Sequence, residues 1–220
     1  MKTFLNLSNK KKTDLPKEFK SDDVRYTEDL VHHFLNEFTK EGNVVFDPFA
    51  GFGTTLIVAE KMNRVPFGIE YDSKRGNYIK GKIKHKDSLI IGSALKMDSY
   101  SIPSVDFCFT SPPYMAKNHL ENPFSAYHEV GNYSQYLQDI ENIYSQIKKV
   151  MSVDGYVGIE VSNLKNDGEV TTLAWDIASR ISNVLHFEGE ITIEWENDTL
   201  ADSGYGYGYD HSYVLMFKNI

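Results

Sequence analysis

From residue 30 onward, segments with apolar side chains at helical spacing alternate with short continuous apolar runs. Leu30, Val31, Phe34, Leu35 and Phe38 recur every three or four positions, and Gly42 separates them from the run Val44, Val45 and Phe46. That order predicts a helix, a turn and a strand. The same reading predicts a helix over 54–61, strands over 65–70, 88–91 and 105–110, and a helix over 74–83. The strongest helical stretch carries Tyr136, Leu137, Ile140, Ile143, Tyr144, Ile147, Val150 and Met151, and Asp154-Gly155 ends its exit turn before a strand over 156–161. Leu173, Ala174, Ile177, Ala178, Ile181, Val184 and Leu185 line one more helix face, ahead of two β-branched and aromatic runs at 191–195 and 213–217.

Strands alternating with helices predict an α/β fold with a mainly parallel sheet covered by helices on both faces. No helix separates the last two strands, so the final one is expected to be antiparallel. Residues 1–24 place Lys10, Lys11, Lys12, Lys17 and Lys20 among acidic and turn residues without an apolar period. They are expected to form a basic, flexible arm ahead of a single domain spanning 25–220.

The first predicted strand leads into Asp47, Pro48, Phe49, Ala50, Gly51, Phe52, Gly53, Thr54 and Thr55, and then into a helix. Glycines there let backbone approach a ligand, and the unpaired N–H groups of a helix start favour an anionic group. The loop lacks the lysine of a nucleoside-triphosphate loop, since Thr54 and Thr55 follow Gly53 directly. Glu70 ends the second strand 19 residues after Gly51, the spacing at which an acidic side chain takes ribose hydroxyls. The pair points to a cofactor that carries a nucleoside.

The fourth strand runs into Thr110, Ser111, Pro112, Pro113 and Tyr114. Two consecutive prolines fix a stiff turn at the carboxyl edge of the sheet, where ligands of open α/β sheets bind. An exocyclic amine on a planar base is a poor nucleophile, because its lone pair is delocalised into the ring. If the Pro112 carbonyl and the Ser111 hydroxyl accept its two hydrogens while Tyr114 stacks on the base, the nitrogen can present its lone pair to an electrophile. A sulfonium methyl group meets that need without a metal or a covalent enzyme intermediate. No cluster with metal-ligand spacing is visible, and no metal is expected.

The motifs DPFAGFGTT, GIEYD (residues 68–72) and TSPPY together resemble the S-adenosylmethionine-dependent amino methyltransferases of DNA, which modify cytosine N4 or adenine N6. The segment at 25–35 is similar to that family's cofactor-closing segment, and 211–219 to its last strand. The resemblance implies a Rossmann-like, seven-stranded sheet. It implies a cofactor site around Tyr26, Thr27, Asp47, Pro48, Phe49, Ala50, Gly51, Gly53, Thr54, Thr55, Glu70, Tyr71, Ser93, Ala94 and Thr110. Ser111, Pro112, Pro113 and Tyr114 would meet the target base. Ser111 leans toward cytosine N4, because adenine-N6 relatives more often carry Asp or Asn there. Ser93 stands where an acidic residue often holds the cofactor adenine, and no stretch is left for a separate target-recognition domain, so the candidate partners are a separate specificity subunit or a second copy in a homodimer.

Charge narrows the partner. Among 220 residues, Lys and Arg total 23 against 31 Asp and Glu, a formal charge of −8, so any contact with nucleic acid must be local. Candidate contacts are the basic run Lys74, Arg75, Lys80, Lys82, Lys84 and Lys86, the loop 115–133 with Lys117, His119, Phe124, Tyr127 and His128, and the glycine-tyrosine stretch with Tyr205, Tyr207, Tyr209 and His211. Cys108 has no partner cysteine, which fits a reducing, cytoplasmic setting, and no apolar stretch approaches the roughly 20 residues that cross a bilayer. DNA is the favoured substrate. RNA is the alternative, through guanine-N2 enzymes with a similar Pro-Pro-aromatic turn, and a non-catalytic cofactor-binding subunit is a third reading.

Overall fold

The computed structural model describes residues 2–166, 168–196 and 208–220. The chain runs β1 (Phe4–Ser8), α1 (Glu28–Phe38), β2 (Val44–Asp47), α2 (Thr54–Lys61), β3 (Val65–Glu70), α3 (Ser73–Lys80), β4 (Leu89–Ile91) and β5 (Val105–Thr110). It continues through α4 (Tyr133–Val150), β6 (Met151–Val161), β7 (Leu164–Asn166), β8 (Glu169–Thr171), α5 (Leu173–Ile181), β9 (His186–Glu196) and β10 (His211–Lys218). One eight-stranded sheet has the order β1-β9-β10-β6-β5-β2-β3-β4, with β7 and β8 as a separate hairpin. The expected Rossmann-like architecture is present, with β10 antiparallel to both neighbours as the missing crossover requires.

Alternation within the strands divides the core. Val45, Phe107 and Phe109 pack toward α1 and α2, against Leu30, Phe34 and Val58. Phe46, Cys108, Val157 and Ile159 pack toward α4 and α5, against Ile140, Tyr144 and Ile177. Both faces are covered, which is why the parallel strands read as unbroken apolar runs.

Two expectations need correction. Residues 2–24 do not stand apart from the domain as an arm: residues 4–8 pair in parallel with β9, which raises the strand count from seven to eight. Leu5 and Leu7 pack on the α1 side of the sheet, and Leu15 is buried. The Glu28 carboxylate accepts the Lys12 amide at 2.9 Å, and Arg25 donates to the Thr13 carbonyl at 3.0 Å, so the segment is tied down along its length. The Asp154-Gly155 turn does not separate helix from strand. Asp154, at φ 63°, lies inside β6, and the register with β5 slips there.

Removal of residues 2–9 leaves β9 without its outer partner. The truncated protein is expected to unfold at a melting temperature several degrees lower, roughly the effect of 1–2 kcal/mol in a domain of this size. An unchanged melting curve by circular dichroism would mean that the segment contributes nothing to the sheet.

Candidate active site

The carboxyl ends of β2, β3 and β5 open onto a cleft of about 930 Å³. One side is the glycine loop. Gly53, at φ 79°, is the N-cap of α2, and a Cβ there would meet the Ile79 side chain at 3.0 Å. Gly51, at φ 56°, donates its N–H to Glu70 Oε2 at 2.7 Å, and the Asp72 amide donates to Glu70 Oε1 at 2.8 Å. Glu70 therefore holds the loop onto the end of β3 while lining the cleft. Burial pushes its carboxyl up to about 7 against the opposing effect of those two amide donors.

The other side is the proline elbow after β5. Tyr136 of α4 donates its hydroxyl to the Pro113 carbonyl at 3.1 Å, and Tyr127 donates to the Tyr114 carbonyl at 3.3 Å. The Tyr114 hydroxyl donates to Glu160 at 3.3 Å and accepts the Ser162 amide at 3.0 Å. Among the described residues, Ser111 Oγ and the Pro112 carbonyl have no hydrogen-bond partner.

Beneath the cleft, the Asp47 carboxylate joins the two sides. Its Oδ1 accepts the Thr110 hydroxyl at 2.5 Å and the Phe49 amide at 3.0 Å, and its Oδ2 accepts the Tyr26 hydroxyl at 3.2 Å. Tyr26 also bonds Thr55, whose hydroxyl lies 3.4 Å from the Phe109 carbonyl. Burial pushes the Asp47 carboxyl up to about 6, opposed by these donors.

Of the residues expected around a ligand, Tyr26, Pro48, Phe49, Ala50, Gly51, Thr54, Glu70, Tyr71, Ser93, Ala94, Ser111, Pro112, Pro113 and Tyr114 line the cleft. Asp47, Thr55 and Thr110 lie under its floor, all buried, and Thr27 caps α1 by accepting the Leu30 amide. Gly53 shapes the loop without lining the cleft. Ser93 caps a short helical turn by accepting the Leu95 amide at 3.3 Å.

The loop 115–133 is a folded wall. Phe124 is buried, 5.4 Å from the Tyr136 ring and 5.8 Å from Phe49, while His119, Tyr127 and His128 face the cleft. From the basic run, Arg75 reaches the cleft and lies 4.9 Å above the Phe52 ring. Tyr205 and Tyr207 lie outside the described residues. Sequence reading missed the roles of Tyr136, Glu160 and Ser162 behind the elbow. The available signal was Glu160 itself, a carboxylate in a strand that both helical layers cover. Among the described residues there is no cluster of metal-ligating side chains, and no helix is long and apolar enough to cross a membrane.

A family model described as DNA methylase, for N6 and N4 methyltransferases, matches residues 4–81 and 105–219. The chain belongs to that family of S-adenosylmethionine-dependent, amino-type DNA methyltransferases. A 51-residue stretch is 36% identical to Type II methyltransferase M.BglII of Bacillus subtilis, a match spanning 23% of this chain and 14% of that relative. TrmN from Thermus thermophilus superposes with a TM-score of 0.63 at 14% identity, over 95% of this chain and 55% of that one. A TehB-like S-adenosylmethionine-dependent methyltransferase from Corynebacterium glutamicum gives 0.55 at 13% identity, over 91% and 92% of the two chains. SMU.1697c of Streptococcus mutans, solved in complex with SAH, gives 0.51 at 10% identity, over 87% and 97%. These likenesses show a shared methyltransferase fold.

The two raised carboxyls set a pH dependence. Both take up protons more readily folded than unfolded, so between about pH 4 and 7 the folded state binds the extra protons and stability falls as pH rises. For Glu70 the loss is on the order of 3 kcal/mol. Urea unfolding of Glu70→Gln is expected to show a flatter stability profile between pH 5 and 8 than the parent protein. Parallel profiles would mean that Glu70 ionises in the folded protein as it does in water.

Proposed function

We propose that this chain transfers a methyl group from S-adenosylmethionine to an exocyclic amino group of a DNA base turned out of its stack into the cleft, with cytosine N4 favoured over adenine N6. One observation carries the reading: the glycine loop and an elbow with two unengaged acceptors line the same cleft. The residues fit the cofactor's nucleoside. Each Glu70 oxygen holds one backbone donor, and an ionised carboxylate has room for further donors such as ribose hydroxyls. Tyr71, half exposed, and Ser93 border the same part of the cleft.

When bound, S-adenosylmethionine would supply an electrophilic methyl group to the amine, leaving as the neutral thioether while the amine gives up one proton to solvent. Ser111 and the Pro112 carbonyl would accept the amine hydrogens and free that lone pair. Tyr114, with its hydroxyl held from behind, would present its ring to the base. Ser111 in place of Asp or Asn supports cytosine N4.

The test is methylation of matched DNA and RNA by the purified protein, followed by mass spectrometry of the nucleosides. N4-methylcytosine in DNA is the expected product. N6-methyladenine would overturn the base preference, and methylation of RNA alone would overturn the DNA assignment. Tyr114→Ala is expected to lower kcat by about 100-fold or more while the cofactor Kd moves less than about threefold. A proportional rise in cofactor Kd would instead place Tyr114 in cofactor binding.

A further inference from the structure

Glu160 is 1% exposed and lies on β6 between buried Ile159 and Val161. Its carboxylate accepts the Tyr114 hydroxyl at 3.3 Å, while the Ser162 amide donates to the phenol oxygen at 3.0 Å. The amide fixes where the phenol oxygen sits, and the carboxylate fixes where its hydrogen points. A buried carboxylate draws the phenol proton more strongly than a neutral acceptor does, and so pushes electron density onto the ring. An electron-rich ring face attracts a cation. The ring in question lines the cleft at the elbow.

We propose that Glu160 is a positioning residue for methyl transfer, acting through the Tyr114 hydroxyl to orient the ring and enrich its face toward the positively charged reacting group. This rests on the methyl-transfer reading above. A glutamate that merely filled space under β6 would affect folding and leave the partition between kcat and KM untouched. One that acts through Tyr114 has a consequence confined to turnover, and that consequence disappears once the hydroxyl is gone.

The experiment is a double-mutant cycle on the full chain: the parent, Glu160→Gln, Tyr114→Phe and the double variant, with kcat, KM for DNA and for cofactor, and urea unfolding measured for each. Each single variant is expected to lose about 10- to 100-fold in kcat with both KM values within about threefold, and the double variant to be no slower than the slower single variant. Multiplying kcat losses, or losses confined to KM, would overturn the proposal. The unfolding cycle is expected to show the same coupling, and strictly additive effects on stability would refute the contact itself. Should Glu160→Gln not fold, Tyr114→Phe decides alone: it keeps the ring, so an unchanged kcat would overturn the proposal. If the parent protein transfers no methyl group to either nucleic acid, the proposed function falls, and the unfolding cycle still decides whether Glu160 holds Tyr114.

Discussion

The site depends on one buried carboxylate. Asp47 ends β2 and accepts hydrogen bonds from Thr110 at the end of β5, from Phe49 in the glycine loop and from Tyr26 ahead of α1. Those donors belong to the pieces of backbone that border the cleft on opposite sides. A carboxylate that is 1% exposed is costly unless it is bonded, so the fold keeps all of these donors in place together. The distance between the loop and the elbow is thereby set from beneath, by groups that need not touch a ligand.

Sheet order explains why the cleft opens there. β2 lies between β3 and β5, and the chain leaves it toward one neighbour first and reaches the other later. At such a switch point the connections diverge to opposite faces and leave a crevice at the carboxyl ends of the strands. The antiparallel β10 sits two strands from β5, inserted between β6 and β9, away from the crevice. β1 then covers the outer edge of β9, which would otherwise present unpaired backbone groups.

Legibility followed the physics of each element. Strands β3 and β5 have the limits read from the sequence, because burial on both faces makes them continuous apolar runs, and a carboxylate or prolines end them. The glycine loop and the elbow are legible for a different reason: glycine and proline act on the local backbone. Depth was not visible. Asp47, Thr55 and Thr110 stand in the motifs but under the floor, a distinction that depends on how strands far apart in sequence stack. Strand β1 escaped because Phe4, Leu5 and Leu7 make too short an apolar pattern among polar neighbours, and their partners lie near the other end of the chain. Glu160 was hidden in a run that otherwise reads as core.

The placement of Cys108 has a practical corollary. Its side chain is fully buried between β5 and the α4 layer, and burial pushes its thiol well above the ordinary value, so little thiolate forms at neutral pH. A cysteine introduced at an exposed position of the cleft rim would be the sole thiol open to maleimide dyes or spin labels. Spectroscopic probes could therefore be attached beside the elbow without first removing the native residue.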